Sequence, residues 1–268
     1  MTTTPAASLP ATTYAGASER IVSVARLHFV NKWTVFVVPG LILAGIFLVN
    51  LAIWAIIFNA VAPEDRADVG EGLQWSGSTF YIFVYTFVIA VTAITVTFPF
   101  ALGLGITRTH FALGTALALV GLSAVYSIAL TVMAVVEQAT NGWGFGGKMF
   151  TAIYFPAQTW YEFLFVYFAY FCLFFFTGGC IAAIYARWRL NGMLVFFLAL
   201  AILIVGGIAL VVSANAWTDL FTTLGRMQPL DYVAWSFVPT GGVYRGQMTA
   251  AQKALPVESD DVRTRWEE

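Results

Sequence analysis

The stretch Phe98-Pro-Phe-Ala-Leu-Gly-Leu-Gly-Ile-Thr-Arg-Thr-His-Phe-Ala-Leu-Gly-Thr115 decides the reading of this chain. Arg108 inside it is the one fully charged residue between Glu71 and Glu137. Apolar runs long enough to cross a bilayer lie on both sides. A short basic turn between two such runs is a turn between membrane helices, and its side of the membrane sets the topology of the rest.

The composition agrees. Of 268 residues, 60% are hydrophobic and only 10% charged, where soluble domains carry about 25% charged residues. Mean hydropathy is +0.81. The runs are long and continuous rather than short and alternating, which excludes a β-barrel pattern. The expected fold class is therefore all-α, a polytopic helical transmembrane bundle. The net charge of -1, with no basic block, gives no reason to expect nucleic acid.

Taken in order, residues 1–18 read as a disordered Thr/Ala/Pro/Ser-rich tail. The tail lacks a positive n-region, so no cleaved signal peptide is expected. Ser18 suits an N-cap, with Glu19 in the first turn. Residues 19–32 read as an amphipathic interfacial helix: Ser23 and Arg26 on one side, Ile21, Val24 and Ala25 on the other.

A transmembrane domain is expected over 33–217. Its five spans are about 33–59, 78–102, 112–136, 157–186 and 193–214, each near the ~20 apolar residues a bilayer requires. The segment 218–244 reads as extracytoplasmic, interfacial or re-entrant, or as a degenerate sixth span. Its apolar part, Tyr232 to Val243, is too short to cross as a helix. A polar tail, 245–268, ends the chain.

Arg20, Arg26, Lys32, Arg108, Arg187 and Arg189 fall on one side of this layout, Arg66 and Lys148 on the other. The positive-inside rule makes the first side cytoplasmic, the N-terminus included, with the chain multi-pass in the cell membrane. The basic residues of the C-terminal part pull against an outside tail.

An absence narrows the function. No Lys, Arg, Asp, Glu or His lies deep in any of the five runs, whereas ion-coupled carriers and pumps use such groups inside the bundle. Glu137 closes the third run and Glu162 lies a turn into the fourth. Both are candidates for an outer vestibule, with wetted helix ends as the plainer alternative. His28 and His110 are the only histidines, too few and too far apart for a haem or catalytic metal. Cys172 and Cys180 share one run, two turns apart, and cannot bridge directly. No nucleophile and base pair is visible, and no Gly-x-x-x-x-Gly-Lys-[Ser/Thr] phosphate loop. No catalytic, metal or cofactor site is expected in this chain.

The layout resembles the type-2 ATP-binding-cassette exporter permeases. The helix Arg20 to Asn31, leading directly into a first span, looks like their elbow helix. The run Gly105-Ile-Thr-Arg108 looks like the cytoplasmic connection between their second and third spans, which carries a Gly-x-Thr-Arg run in actinobacterial-looking members. The resemblance covers roughly Glu19 to Trp217. It implies that Thr107, Arg108, Thr109 and His110 contact a separate ATPase subunit, and that Arg20, Arg26 and His28 belong to the elbow. It also implies a second permease chain, ATP used by the partner alone, and a hydrophobic or amphipathic cargo (drug, peptide or lipid-like). The family has six spans with short re-entrant helices outside, where 217–238 would fall. The competing reading is a non-transporting accessory, assembly or immunity subunit of a larger membrane complex. A lipid-acting enzyme ranks last.

Overall fold

The computed structural model describes residues 16–155 and 157–226. All regular structure among them is helical. Four helical stretches are long and apolar enough to cross a membrane: Trp33–Ala60, Phe80–Gly103, Arg108–Ala139 and Trp160–Ser213. The expected re-entrant stretch 232–243, the polar tail and most of the N-terminal tail lie outside the described residues.

Helix α1, Ala17–Leu27, starts slightly earlier than Ser18 would set it, and the Glu19 carboxylate reaches back to the Gly16 amide at 3.1 Å. A π-helical turn, Trp33–Val37, leads into α2, Val38–Ala60. The turn has a covalent cause. The Val38 amide bonds back to the Trp33 carbonyl. The next amide position is Pro39, which has no N–H, so the carbonyls of Thr34 and Val35 lose their helical donor. Two phenols take its place: Tyr85 donates to the Thr34 carbonyl at 3.0 Å, and Tyr126 donates to that of Val35. In an apolar surround such carbonyls need a partner, and these tyrosines tie the start of α2 to its neighbours.

A short 3₁₀ turn, Pro63–Asp65, and α3, Arg66–Gly72, make up the loop that leads to α4, Phe80–Gly103. Helix α4 ends on a Schellman cap. Ile106 N–H bonds to the Ala101 carbonyl at 3.1 Å, Gly105 N–H to that of Leu102 at 3.0 Å, and Gly105 takes φ +76°. Thr107 then caps α5, Arg108–Ala139, accepting from the His110 amide at 3.3 Å. The Gly105-Ile-Thr-Arg108 run is thus two abutting caps, with glycine for the left-handed residue and threonine for the N-cap.

Helix α6, Trp160–Ser213, spans 54 residues but is broken at Arg189 (φ 53°, ψ −143°). Its segment 160–188 packs on α4 and α5. A Cβ on Gly178 would stand 2.7 Å from the Phe87 carbonyl, so that glycine sets how closely α6 approaches α4. Phe83, fully buried, is the centre of an aromatic cluster with Phe155, Tyr170, Phe171 and Phe174, ring centroids 4.8 to 6.1 Å away. By contrast, no residue of segment 190–213 is buried, and its Leu, Ile and Val side chains face outward. Such a surface is suited to lipid or another chain, not water. Helix α7, Trp217–Arg226, ends the described residues.

Candidate functional site

At the end of the bundle that carries the α4–α5 turn, α1 lies across α5. Val24 is fully buried and Ala25 nearly so. Gly114 of α5 makes the contact: a Cβ there would stand 2.6 Å from both the Ile21 carbonyl oxygen and the Val24 Cβ. One turn of chain later, His28 Nε2 and the Thr115 hydroxyl are 3.0 Å apart, and the imidazole tilts against Phe111 at 6.2 Å. Burial lowers the His28 pKa below its ordinary 6.5, and its Nδ1 has no hydrogen-bond partner. A cavity of about 30 Å³, otherwise apolar, lies between His28, Val35, Ala118 and Leu122.

The turn residues lie at the adjacent end of α5. Thr107, Arg108 and Thr109 are exposed, and His110 is half-buried with its Nδ1 unpartnered. Arg108 is the first residue of α5. A cation there opposes the positive end of the helix dipole, so helix stability does not account for it. Arg26 is exposed near the end of α1 and Arg20 is partly exposed. Arg20, Arg26 and His28 and the α4–α5 turn residues thus occupy one end of the bundle, joined through Gly114.

The opposite end is organised by Glu137, 1% exposed. Its Oε1 accepts from the Thr151 amide at 2.7 Å and the Thr151 hydroxyl at 2.6 Å. Its Oε2 accepts from Trp143 Nε1 at 3.1 Å and the Met149 amide at 3.0 Å, and the Phe150 amide reaches both oxygens at 3.1 Å. An anion at a helix C-terminus is disfavoured by the dipole. Here five donors from a loop compensate it.

That loop turns on left-handed residues: Asn141, Gly142, Trp143, Gly144 and Gly146 all have positive φ. It is held from outside as well. Thr79 donates to the Met149 carbonyl at 2.7 Å, Tyr167 to that of Phe150, and Gly147 lies against the Trp54 ring with no room for a Cβ. Met149 and Phe150 are buried beneath it. Burial, and secondly the Glu137 charge, pushes the Tyr154 phenol up to about 12.

Glu137 therefore faces a closed loop. Glu162 instead serves as a helix cap, its Oε2 accepting from the amides of Gln158 at 2.7 Å and Thr159 at 3.1 Å at the start of α6. Sequence reasoning places Glu137 at a helix end but misses its anchoring role. The glycine-rich run after it is the available signal, since such a run permits the turns that aim successive amides at one anion. Among the described residues, no three His, Cys, Asp or Glu side chains gather to hold a metal, and both cysteines are free. No family model, curated protein or solved structure matches the chain.

Proposed function

We propose that the chain is the transmembrane permease subunit of an ATP-driven exporter, crossing the cell membrane five times with its N-terminus cytoplasmic. In this reading α6 makes two crossings, one on each side of the break at Arg189. Two separate ATPase subunits of the ATP-binding-cassette type dock against the Arg108 turn, and a second permease chain completes the path. The cargo is hydrophobic or amphipathic, in keeping with spans that carry aromatics and hydroxyls but few charges.

The observation that carries this reading is the locking of α1 onto α5 directly behind the exposed Thr107–Arg108 turn. The turn is stiffened by a cap on each side, and α5 runs without interruption from it to Glu137 at the far end. A push on the turn would move α1 and α5 as one body, which is the kind of element a rigid-body transport step needs. Purification in mild detergent tests the proposal. An ATPase subunit should accompany the chain, and Arg108→Glu should leave insertion intact while separating ATP hydrolysis from cargo movement. Unimpaired transport in that variant refutes the coupling role.

A further inference from the structure

Helix α2 is fastened to the rest of the molecule at two places. Of its 23 residues only Pro39, at its start, and Trp54, in its second half, are buried. Leu43, Ile46 and Leu51 between them lie half-buried against the core. At the start, Pro39 interrupts the hydrogen-bond ladder. The carbonyls of Thr34 and Val35 are bonded to Tyr85 of α4 and Tyr126 of α5 in place of an α2 amide. The π-helical turn is therefore tied to α4 and α5, and α2 leaves it across a proline, a place where helices bend.

The second fastening runs to a loop. The Trp54 ring lies against Gly147, where a Cβ would stand 2.7 Å from it. Phe47 meets Trp143 and Phe150 at ring-centroid distances of 4.7 and 5.9 Å, and Phe58 meets Phe145 at 5.6 Å. Asn50 donates to the Ser78 hydroxyl at 2.6 Å, next to Thr79, which itself donates to the Met149 carbonyl. Glu137 of α5 accepts from Trp143 Nε1 and from the Met149 and Phe150 amides. One carboxylate on α5 thus fixes the loop on which this half of α2 rests.

We propose that α2 is a hinged helix: it swings about the Pro39 turn, and the loop anchored by Glu137 is the latch that keeps it closed. Two discrete fastenings, one of them at a break in the backbone ladder, are what a hinged element requires. Swinging out uncovers the buried Phe150 ring that Phe47 touches. About 26 Å of helix separates Pro39 from Ile56, so a swing of about 10° carries Ile56 about 5 Å. The proposal needs neither an ATPase nor a second chain and stands apart from the exporter reading.

The full chain carrying Cys172→Ala and Cys180→Ala is placed in lipid nanodiscs, and distances between nitroxide pairs are measured by double electron–electron resonance. Ile56→Cys with Val132→Cys reports the second half of α2 against α5, and Leu41→Cys with Leu117→Cys reports its start. All four positions are exposed. Gly147→Val drives the loop against Trp54 and should lengthen the first distance by about 5 Å while leaving the second in place. Glu137→Ala should do the same. Gly147→Val keeps the carboxylate and its donors, so it serves if Glu137→Ala folds poorly. Adding Pro39→Ala should shrink the shift by restoring an amide at the hinge. An unmoved first pair in Gly147→Val overturns the latch, and equal shifts in both pairs overturn the hinge. A shift undiminished by Pro39→Ala places the bend elsewhere and overturns the role of the proline.

Discussion

Gly114 lies so close to Val24 that a Cβ on the glycine would stand 2.6 Å from that of the valine. A helix-interior glycine ordinarily lowers helix stability by about 1 kcal/mol relative to alanine. Here it lets the backbone of α1 rest on α5. Gly114→Val should detach α1 or force the helices apart, destabilising by about 1–3 kcal/mol. Cross-linking between single cysteines on the two helices should fall sharply in that variant. An unchanged yield would show that α1 is held by something else.

The His28 contact gives the same docking a pH dependence. Burial lowers the folded-state pKa of His28 below 6.5. The released helix binds the proton more readily, so the contact's contribution is complete above pH 6.5 and is lost as pH falls through the lowered value. The same cross-link should weaken on acidification, and His28→Asn should flatten the dependence. A cross-link yield independent of pH in the wild type contradicts the assignment.

Pro39 and the two phenols form a testable cycle. Tyr85→Phe and Tyr126→Phe should each cost about 1 kcal/mol by leaving a carbonyl without a donor. Pro39→Ala restores the missing amide, so Tyr126→Phe should cost less in that background. Thermal unfolding of the wild type, Pro39→Ala, Tyr126→Phe and the double variant measures the coupling, and strict additivity would separate the proline from the tyrosine.

Much of this architecture can be read without coordinates. The long apolar runs mark the helices, and Gly105 and Thr107 are residues that end and begin helices for known reasons. The junction at Arg189 is harder. The hydropathy pattern predicts two runs with a short gap, and the chain instead breaks at a single left-handed residue, which no periodicity marks. The level at which α2 starts is also hidden, because it is set by a tertiary contact, Val35 meeting Tyr126 eighteen residues into α5, that the apolar run does not mark. Glu137 escapes sequence reasoning for a similar reason. Its donors come from an irregular loop six to fourteen residues away, and burial of that kind has no local pattern.

Removing the Glu137 carboxylate should release that loop. Glu137→Ala leaves several buried donors without an acceptor and should destabilise the protein by on the order of 3 kcal/mol. Glu137→Gln should help little. Both carboxylate oxygens accept hydrogen bonds, and the amide NH₂ would confront donors at one of them. Limited proteolysis should cut between 140 and 155 in both variants but not in the wild type. Equal protection would mean that the contacts of Thr79 and Tyr167 suffice to hold the loop.

In the proposed permease, motion enters at the Arg108 turn and travels along α5 with α1. The most direct measurement is cargo-dependent ATP hydrolysis by the complex that co-purifies with the chain, compared in wild type and Arg108→Glu with insertion verified in both. The expected result is an ATPase in the complex, cargo-stimulated turnover in the wild type and loss of that stimulation in the variant. A complex without an ATPase, or stimulation that survives the charge reversal, would contradict it.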